Sequence, residues 1–412
     1  MPDIRPFRAY RPKDEEASLI AALPYDVFSR QEAKEYVKKH PKAFLRIDRA
    51  ETGMPDEVST YDPSVYERAR DLFREAVRTG EFIQDGTPCY YLYELTMEGR
   101  SQTGICAVSS IDDYLNGVIR RHENTRAEKE QDRIDHVSAL DAQTGPIFLA
   151  YREDKGLRES IEAVKKEHPV AADFTAEDGI RHRTWVISNP GLVEEFRTKL
   201  SRLERLYIAD GHHRAASAVK VGLKKRQEHP GYTGEEEFNF FLSVMFPDSE
   251  LKILDYNRVV KDLNGMTKEG FLQKLEEGFS IGAPGKEAVH PSKKGEFGLY
   301  LDGEWRLLTW KKAPTGNAVQ DLDVSVLQEN VLGPILGIGD PKTDPRIDFV
   351  GGIRGLSEIE RRSRLDMTLG FSMYPTSMAE LFAVSDAGEL MPPKSTWFEP
   401  KLLSGLFIHE IS

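Results

Sequence analysis

The chain of 412 residues is long enough to bury a large core, and this length is typical of two domains or of one large domain with insertions. Its formal net charge is −12 and it has no Lys/Arg-rich block, which argues against nucleic acid as a partner, because such binding requires a basic surface. Only two cysteines are present, which excludes a disulfide framework, and no apolar run approaches the roughly 18 residues of a membrane span. We therefore expect a cytoplasmic protein without a membrane or nucleic-acid partner, and the sequence leaves open a homo-oligomer.

The first 111 residues are predicted to mix helices and strands. Periodicity and turn residues indicate a helix over 31–39, a strand over 43–47, an amphipathic helix over 64–79 and a β-hairpin over 89–97 and 102–111. Tyr25 and Asp26 lie in the loop before the first of these helices. They are either an aromatic anchor and a helix cap or members of a binding site.

The densest run of polar residues lies between positions 120 and 136. Thr125 and Glu128 have the spacing of a capping box, which predicts that a helix begins there. His122 and Glu123 precede that helix in a loop, and loops that connect strands to helices often carry chemistry.

One face of the predicted helix carries Lys129, Arg133 and His136, with Asp132 beside them. The same face becomes apolar at Leu140. We therefore expect its charged part to point into a cleft at the edge of the core, although a salt-bridged surface helix has a similar pattern.

The stretch that best predicts a site begins at Leu206. Residues 206–209 are apolar and predict a buried strand, whereas the Ala-rich run from position 215 predicts a helix. The junction consists of Asp210, Gly211, His212, His213 and Arg214. Gly211 would allow an anion to approach the main chain at the positive end of the helix dipole, and Arg214 adds donors that suit phosphate or carboxylate. A simple helix cap is the alternative, but it requires far fewer polar residues.

The remaining elements suggest a change of domain near position 260. Strands are expected at 147–151, 183–187 and 238–246, and helices at 157–167 and 191–203; beyond the border we expect helices over 268–279, 324–332, 357–366 and 376–384, a hairpin over 297–310, and strands at 368–373 and 407–411. The predicted domains are a core domain over 1–260 and a C-terminal α+β region over 261–412. Near the border, Asn257 and Arg258 either bind a ligand or tie a loop.

A proline-rich loop near the C-terminus offers a third group of donors. It contains Lys394, Ser395, Thr396 and Lys401. Rigid loops rich in cationic and hydroxyl donors suit phosphate, and a stiffened connection over an aromatic core is the alternative.

Five motifs in order carry a resemblance to a known family over essentially the whole chain. They are Pro24-Tyr25-Asp26-Val27; Arg121-His122-Glu123-Asn124-Thr125 with Lys129, Asp132, Arg133 and His136; Gln143-Thr144-Gly145-Pro146; Ile208 to Arg214; and Lys394-Ser395-Thr396 with Phe398, Pro400 and Lys401. The chain resembles the bacterial and archaeal family catalogued as domain of unknown function 1015. Because that family is largely uncharacterised, the resemblance implies little about activity.

A second resemblance is local. Asp210 to Arg214 after a strand looks like the phosphate-binding signature of the ParB/sulfiredoxin-like fold, which includes partition nucleotide switches, sulfiredoxins and free-serine kinases. This resemblance implies that the five residues hold nucleotide phosphates and that an upstream glutamate, here Glu123, is the base toward a hydroxyl. The expected fold class is α/β or α+β, with mixed sheets, flanking helices and this phosphate-binding element.

These clusters favour a nucleotide-dependent phosphotransferase that acts on a small hydroxyl-bearing metabolite, with free serine among the candidates. The expected cofactor is ATP or ADP with Mg²⁺, which Asp210 or Asp132 would ligate. The candidate catalytic residues are Glu123, His122, Lys129, Arg133 and His136, with Glu123 and His122 as rival bases. The candidate phosphate ligands are Asp210 to Arg214 with Lys394, Ser395, Thr396 and Lys401, and the candidate substrate-binding residues are Tyr25, Asp26, Asn124, Thr125, Gln143, Thr144, Asn257 and Arg258.

Two other hypotheses remain open at this point. A nucleotide-binding switch or sensor would bind the same phosphates without turning over a metabolite. A metal-dependent hydrolase would instead gather His122, His136, His212 and His213 around Zn²⁺.

Overall fold

The chain is described by a computed structural model that covers residues 1–125 and 127–412. It divides into two compact units: Met1–Leu251 together with Pro400–Ser412, and Lys252–Glu399. Both units contain helices and β-sheets, so the mixed α/β class expected from the sequence is confirmed.

The helices are distributed over the whole chain. In chain order they are α1 Ala17–Ile20, α2 Arg30–Lys39, α3 Leu45–Asp48, α4 Pro63–Arg78, α5 Ile111–Leu115, α6 Ala127–Leu140, α7 Lys155–Glu167, α8 Pro190–Leu200, α9 His212–Glu228, α10 Lys268–Leu275, α11 Asp323–Leu327, α12 Ser357–Leu365 and α13 Met378–Asp386. Short 3₁₀ turns include Tyr25–Val27 and Ala50–Gly53, and a π-helical turn, Gln328–Leu332, follows α11.

The strands are shorter and more numerous. They are β1 Ile4–Arg5, β2 Tyr10–Pro12, β3 Phe82–Gln84, β4 Tyr90–Met97, β5 Arg100–Ser110, β6 Ile119–Arg120, β7 Ala142–Gln143, β8 Ile147–Tyr151, β9 Ala172–Thr175, β10 Arg181–Ile187, β11 Leu206–Asp210, β12 Phe240–Pro247, β13 Ile253–Leu254, β14 Tyr256–Val260, β15 Phe279–Ile281, β16 Glu296–Leu301, β17 Glu304–Trp310, β18 Ile347–Gly351, β19 Leu369–Met373, β20 Trp397–Phe398 and β21 His409–Glu410.

The first unit is built on a nine-stranded mixed sheet. The strand order is β6-β11-β8-β12-β5-β4-β10-β9, and β1 pairs with β5. The pairs β6–β11 and β8–β12 are parallel, and the other pairs are antiparallel. Helices α7, α8 and α9 contribute Leu157, Phe196 and Val219 to the core on this sheet.

A second core of the first unit lies among α2, α3 and α4. It contains Ala33, Leu45 and Phe73, and it also includes Ile408 from the C-terminal segment. Ser404 pairs with Ala22 and β21 pairs with β7, which explains why residues 400–412 belong to this unit.

The second unit contains a six-stranded antiparallel sheet in the order β15-β17-β16-β19-β14-β18. Helix α12 packs on this sheet through Ile359. Because β14 is one of its strands, residues 252–260 belong to the second unit, whereas the sequence prediction placed the border after position 260.

Most of the predicted elements form, and one is wrong. The hairpin of β4 and β5, the strand–helix junction at position 210 and the helices α4, α7 and α9 are confirmed. The predicted strand over 43–47 is instead the short helix α3, Leu45–Asp48. Ala43, Phe44, Leu45 and Ile47 all lie inside the second core, and a short, mostly apolar run of this kind does not distinguish a buried strand from a buried helix.

Within the two ranges that the structure covers, every helix is too short or too polar to traverse a lipid bilayer.

The C-terminal segment should be essential for the stability of the first unit. Phe407 is 2% exposed, and its ring centroid lies 5.0 Å from that of Tyr91. Phe407→Ala should therefore lower the free energy of unfolding of this unit by about 3–5 kcal/mol, measured by urea titration with tryptophan fluorescence. Leu19→Ala, at a side chain that is 54% exposed, is the control and should change it by less than about 0.5 kcal/mol. An equally small effect of both variants would contradict the placement of this segment.

Candidate functional site

The candidate site of the first unit begins where two parallel strands end side by side. Strand β6 pairs with β11 in the register Ile119 to Leu206 and Arg120 to Tyr207. His122 and His212 each follow the end of their strand by two residues, so the pairing brings them together. Their ring centroids are 4.5 Å apart, and the backbone N–H of His122 donates to Nε2 of His212 over 3.4 Å. The two polar motifs that the sequence singled out are therefore neighbours.

Gly211 makes the turn between β11 and α9. Its φ of +92° lies in the left-handed region that favours glycine. A Cβ at this position would lie 3.1 Å from Nε of Arg214, so the guanidinium occupies the space that the missing side chain leaves. Arg214 donates to the carbonyl oxygen of Pro146 over 2.6 Å and lies 3.3 Å from Oδ2 of Asp210.

Asp210 is ionised at neutral pH. Burial disfavours its charged form, but the positive charges of Lys401 and Arg214 outweigh burial and lower the pKa to about 2. Nζ of Lys401 lies 3.7 Å from Oδ2 of Asp210. The side chain of Asp210 is 38% exposed, and ionised carboxylate oxygens are ligands that divalent cations prefer.

The three buried histidines of the site, His122, His136 and His212, carry no charge at neutral pH. Burial lowers the pKa of His122 to about 4, and burial together with the nearby guanidinium of Arg133 lowers that of His136 to about 3. Burial also holds the pKa of His212 well below its ordinary value, and the neighbouring His122 adds to this effect. Positive charge is therefore supplied by the arginines and lysines, while His213 lies partly exposed on the first turn of α9.

Helix α6 places Arg133 and His136 in the interior of the unit, and Lys129 at its surface. The guanidinium carbon of Arg133 lies 3.7 Å from the ring centroid of Tyr25, which is a cation–π contact, and its Nη2 lies 2.8 Å from Oδ2 of Asp132. The other carboxylate oxygen of Asp132 accepts a hydrogen bond from Tyr66 over 3.0 Å. Both oxygens of Asp132 are thus engaged by protein groups, which makes it a poorer metal ligand than Asp210.

Two cavities of the first unit share part of their lining, which includes Tyr25 and Arg133. The smaller, of about 40 Å³, is lined by apolar side chains together with Gln143, Thr144, Gly145 and Arg214. The larger, of about 270 Å³, is lined by Asp26, by Lys129 and Asp132 of α6, and by residues of α3 and α4 that include Tyr66. Both cavities are also lined by Tyr25, Asp48, Arg133 and His136. The smaller holds only a few waters, whereas the larger has room for a small metabolite.

Asp48 lines both cavities, and the sequence analysis did not single it out. It accepts a hydrogen bond from the hydroxyl of Thr144 over 2.9 Å, and its Oδ1 lies 3.7 Å from Nε2 of His136. Burial raises its pKa, although Arg133 and the hydroxyl groups of Thr144 and Ser404 favour the ionised form. The signal available in the sequence was the run Asp48-Arg49-Ala50-Glu51, three charged residues directly after an apolar segment.

Arg49 and Glu51 also line the larger cavity. Glu51 is 2% exposed, and its Oε1 lies 2.6 Å from Nε of Arg49. Arg49 also donates to the carbonyl oxygens of Tyr25 and Phe28 over 3.0 and 2.9 Å. This arginine thereby fixes the turn that carries Tyr25 and Asp26.

Some predicted substrate-binding residues of the first unit make structural contacts. The side chain of Gln143 accepts from the backbone of Leu242 over 2.5 Å and donates to the carbonyl oxygen of Phe240 over 3.3 Å, which ties β7 to β12. Thr125 donates to the carboxylate of Glu130. Asn124 is exposed, and Glu123 is partly exposed in the loop before α6.

Five predicted residues belong to the second unit, where they form a local network. Arg258 donates to the carbonyl oxygen of Lys394 over 2.9 Å, and Ser395 donates to that of Pro392 over 2.6 Å. Asn257 accepts from the backbone of Met373 over 2.9 Å. That these residues and Thr396 bind a substrate or phosphate stays a prediction. The site geometry described for the first unit does not depend on them.

Comparison with known proteins identifies the family. The family model described as "Protein of unknown function (DUF1015)" matches residues 4–325. The chain belongs to this family. The expected family resemblance is thus confirmed over residues 4–325, which contain four of the five motifs, including both polar motifs at the ends of β6 and β11. The fifth motif, Lys394 to Lys401, lies beyond the matched residues.

Solved structures are similar to this DUF1015 protein only at a low level. A free serine kinase in complex with AMP has a TM-score of 0.34 and 16% identity, and the match covers 72% of this chain and 86% of the kinase. SbnI with a C-terminal truncation, from Staphylococcus aureus, has a TM-score of 0.36 and 13% identity, with coverage of 72% and 85%. A conserved hypothetical protein from Pyrococcus furiosus has a TM-score of 0.33 and 16% identity, with coverage of 73% and 94%. Similarity at this level does not bear on function. No curated protein matches the chain.

The geometry gives no support to the zinc hydrolase hypothesis. In the part of the chain that the structure describes, no three side chains of His, Cys, Asp or Glu are grouped as a metal site would require. His122 and His212 contact each other, whereas His136 faces Asp48 and the carbonyl oxygen of Ile47.

The buried histidines should make the protein sensitive to acid. In the unfolded chain His122 and His136 bind protons with a pKa of about 6.5, whereas in the folded chain their pKa values are about 4 and 3. The free energy of unfolding is therefore highest above pH 6.5 with respect to these two groups, and it falls as the pH decreases below that value. Each histidine contributes a slope of up to about 1.4 kcal/mol per pH unit. We expect NMR of ¹⁵N-labelled histidine to show a neutral His122 ring at pH 5, assigned with the variant His122→Gln. Titration of that ring near pH 6.5, as in a model peptide, would contradict the described burial.

Proposed function

We propose that the first unit binds a nucleotide by its phosphates and transfers a phosphoryl group to a small hydroxyl-bearing metabolite. The observation that carries this proposal is the convergence of Arg214 and Lys401 on the glycine turn that begins the 17-residue helix α9. Phosphoryl transfer depends mainly on positioning and on neutralisation of charge, and these groups supply both.

The nucleotide phosphates are expected at the N-terminus of α9. The first backbone N–H groups of a helix have no partner within the helix, and the helix dipole adds partial positive charge there. The guanidinium of Arg214 lies over Gly211, in the space that a Cβ would take, and presents a planar set of donors there. Asp210 would hold Mg²⁺ together with phosphate oxygens, since its carboxylate is ionised and partly exposed.

The hydroxyl-bearing metabolite is expected in the larger cavity. Arg133 lies in the wall between the two cavities and would neutralise charge on the group in transfer, and Lys129 lines the larger cavity from the surface of α6. A polar lining that mixes Asp26, Lys129 and Asp132 suits a small, polar molecule such as free serine. In the sequence-based hypothesis the proton acceptor is Glu123 or His122.

Arg214 offers the most direct test of phosphate binding. Arg214→Ala should weaken binding of ADP by about 10- to 100-fold, because hydrogen bonds to charged groups contribute about 1.5–3 kcal/mol. The affinity of Arg214→Lys for ADP should lie between those of Arg214→Ala and the wild type, since lysine keeps the charge but not the planar set of donors. Isothermal titration calorimetry measures both constants. Arg78→Ala, at a side chain on α4 that is 74% exposed, is the matched control and should bind as the wild type does. Equal affinities of all four proteins would refute the phosphate site.

Transfer itself is tested by ³¹P NMR. The protein is incubated with Mg²⁺, with ATP or ADP as donor, and with L-serine, L-homoserine, glycerol or inositol as acceptor. We expect a new phosphomonoester resonance with at least one acceptor. Tight nucleotide binding without any such product would instead favour a nucleotide-binding switch.

A further inference from the structure

Asp48 occupies the one position from which a carboxylate of the described chain borders both cavities. It ends helix α3, and its side chain is 3% exposed. The hydroxyl of Thr144 and that of Ser404 both donate to it. Two hydroxyl donors fix the direction of the carboxylate, and the larger cavity supplies its access to a small molecule.

We propose that Asp48 accepts the proton of the acceptor hydroxyl, which binds in the larger cavity beside Arg133. This role rests on the phosphotransferase function proposed above. A general base must lie within hydrogen-bond reach of the proton that it removes, and a group that lines the acceptor cavity meets this requirement.

The two rival bases, His122 and Glu123, are less well placed to reach the acceptor hydroxyl. In the described structure, the side chains that line the two cavities include neither His122 nor Glu123. His122 is fully buried against His212, and its backbone N–H is bonded to that ring. Glu123 lies in the partly exposed loop before α6. Asp48 is therefore the better placed of the three.

The step balances without any further reactant. The acceptor oxygen forms a bond to the terminal phosphorus of the nucleotide while the bond from that phosphorus to the bridging oxygen breaks. The bridging oxygen leaves with the electron pair as part of the shortened nucleotide. The proton of the acceptor hydroxyl passes to Asp48, which later releases it to water through the cavity.

The groups around Asp48 set the pH range in which it can act. Arg133 and His136 face it from α6, Arg214 from α9, and the hydroxyls of Thr144 and Ser404 complete its surroundings. His136 is neutral, so the positive charge comes from the two guanidiniums. Burial raises the pKa of the carboxyl above its ordinary value despite these charges, which makes Asp48 a stronger base than an exposed aspartate. The rate of transfer should fall as the pH decreases through this pKa.

The first experiment compares Asp48→Asn, Asp48→Glu and the wild type with the acceptor that the wild type uses in the ³¹P NMR assay. Asp48→Asn keeps the shape of the side chain and removes the proton acceptor. We expect it to lower the transfer rate by about 100-fold or more while the dissociation constant of ADP changes by less than about threefold. Asp48→Glu should recover part of the rate. Glu57→Gln, which alters an exposed acid in the segment after α3, is the matched control and should keep the full rate.

The second experiment uses Thr144→Val, so that the test does not depend on the folding of the Asp48 variants. Loss of the hydroxyl removes a hydrogen bond to the ionised carboxylate, which raises the pKa of Asp48. The acidic limb of the pH–rate profile should therefore move to higher pH, while a purely structural role of Asp48 would lower the rate equally at every pH.

The outcomes separate the two proposals. A wild type that binds ADP but transfers phosphate to no acceptor refutes the proposed function and, with it, this role of Asp48. An active wild type together with an Asp48→Asn variant within threefold of its rate refutes only the role of Asp48. An unmoved acidic limb in Thr144→Val refutes that role as well.

Discussion

The parallel pairing of β6 with β11 is the constraint on which the rest of the site depends. It is short, since only Ile119 and Arg120 pair with Leu206 and Tyr207, yet it places the ends of two strands at the same edge of the sheet. The loop that leads to α6 and the turn that begins α9 both start from that edge. Helices α6 and α9 then pack against each other, and Ser217 of α9 donates to the carbonyl oxygen of Glu130 of α6 over 3.0 Å. The position of Arg133 relative to Arg214 follows from this pairing.

The charges gathered by this arrangement would be unfavourable without close partners. A buried charge loses its hydration, and burial is tolerated only where hydrogen bonds or opposite charges compensate. Arg133 is compensated by Asp132 and by the ring of Tyr25, and Asp210 by Lys401 and Arg214. Such pairs are weak evidence for stability. Buried charge pairs also occur elsewhere in the first unit, as at Glu94 with Lys165 and Arg183. Arg133 differs from Glu94 because it borders two cavities, the larger of which has room for a polar ligand.

The sequence predicted the elements that a local pattern determines, and it missed those that only tertiary contacts determine. The junction at Gly211 was predictable because an apolar strand, a glycine and an Ala-rich helix follow one another within fifteen residues or so. The helix face of Arg133 and His136 was predictable from spacing alone. Asp48 was not, because its importance comes from Thr144, almost a hundred residues away, and because the preceding run was interpreted as a strand. The return of the C-terminal segment to the first unit had no local signal, since pairing of β21 with β7 is a long-range contact.

A crystal structure of the protein with ADP and Mg²⁺ would show directly where the nucleotide phosphates bind. We expect the terminal phosphate to lie at the backbone N–H groups of His212 and His213, within hydrogen-bond distance of the guanidinium of Arg214, with the larger cavity left open beside Arg133. Nucleotide bound elsewhere on the chain, or with its phosphates pointing away from this turn, would contradict this expectation.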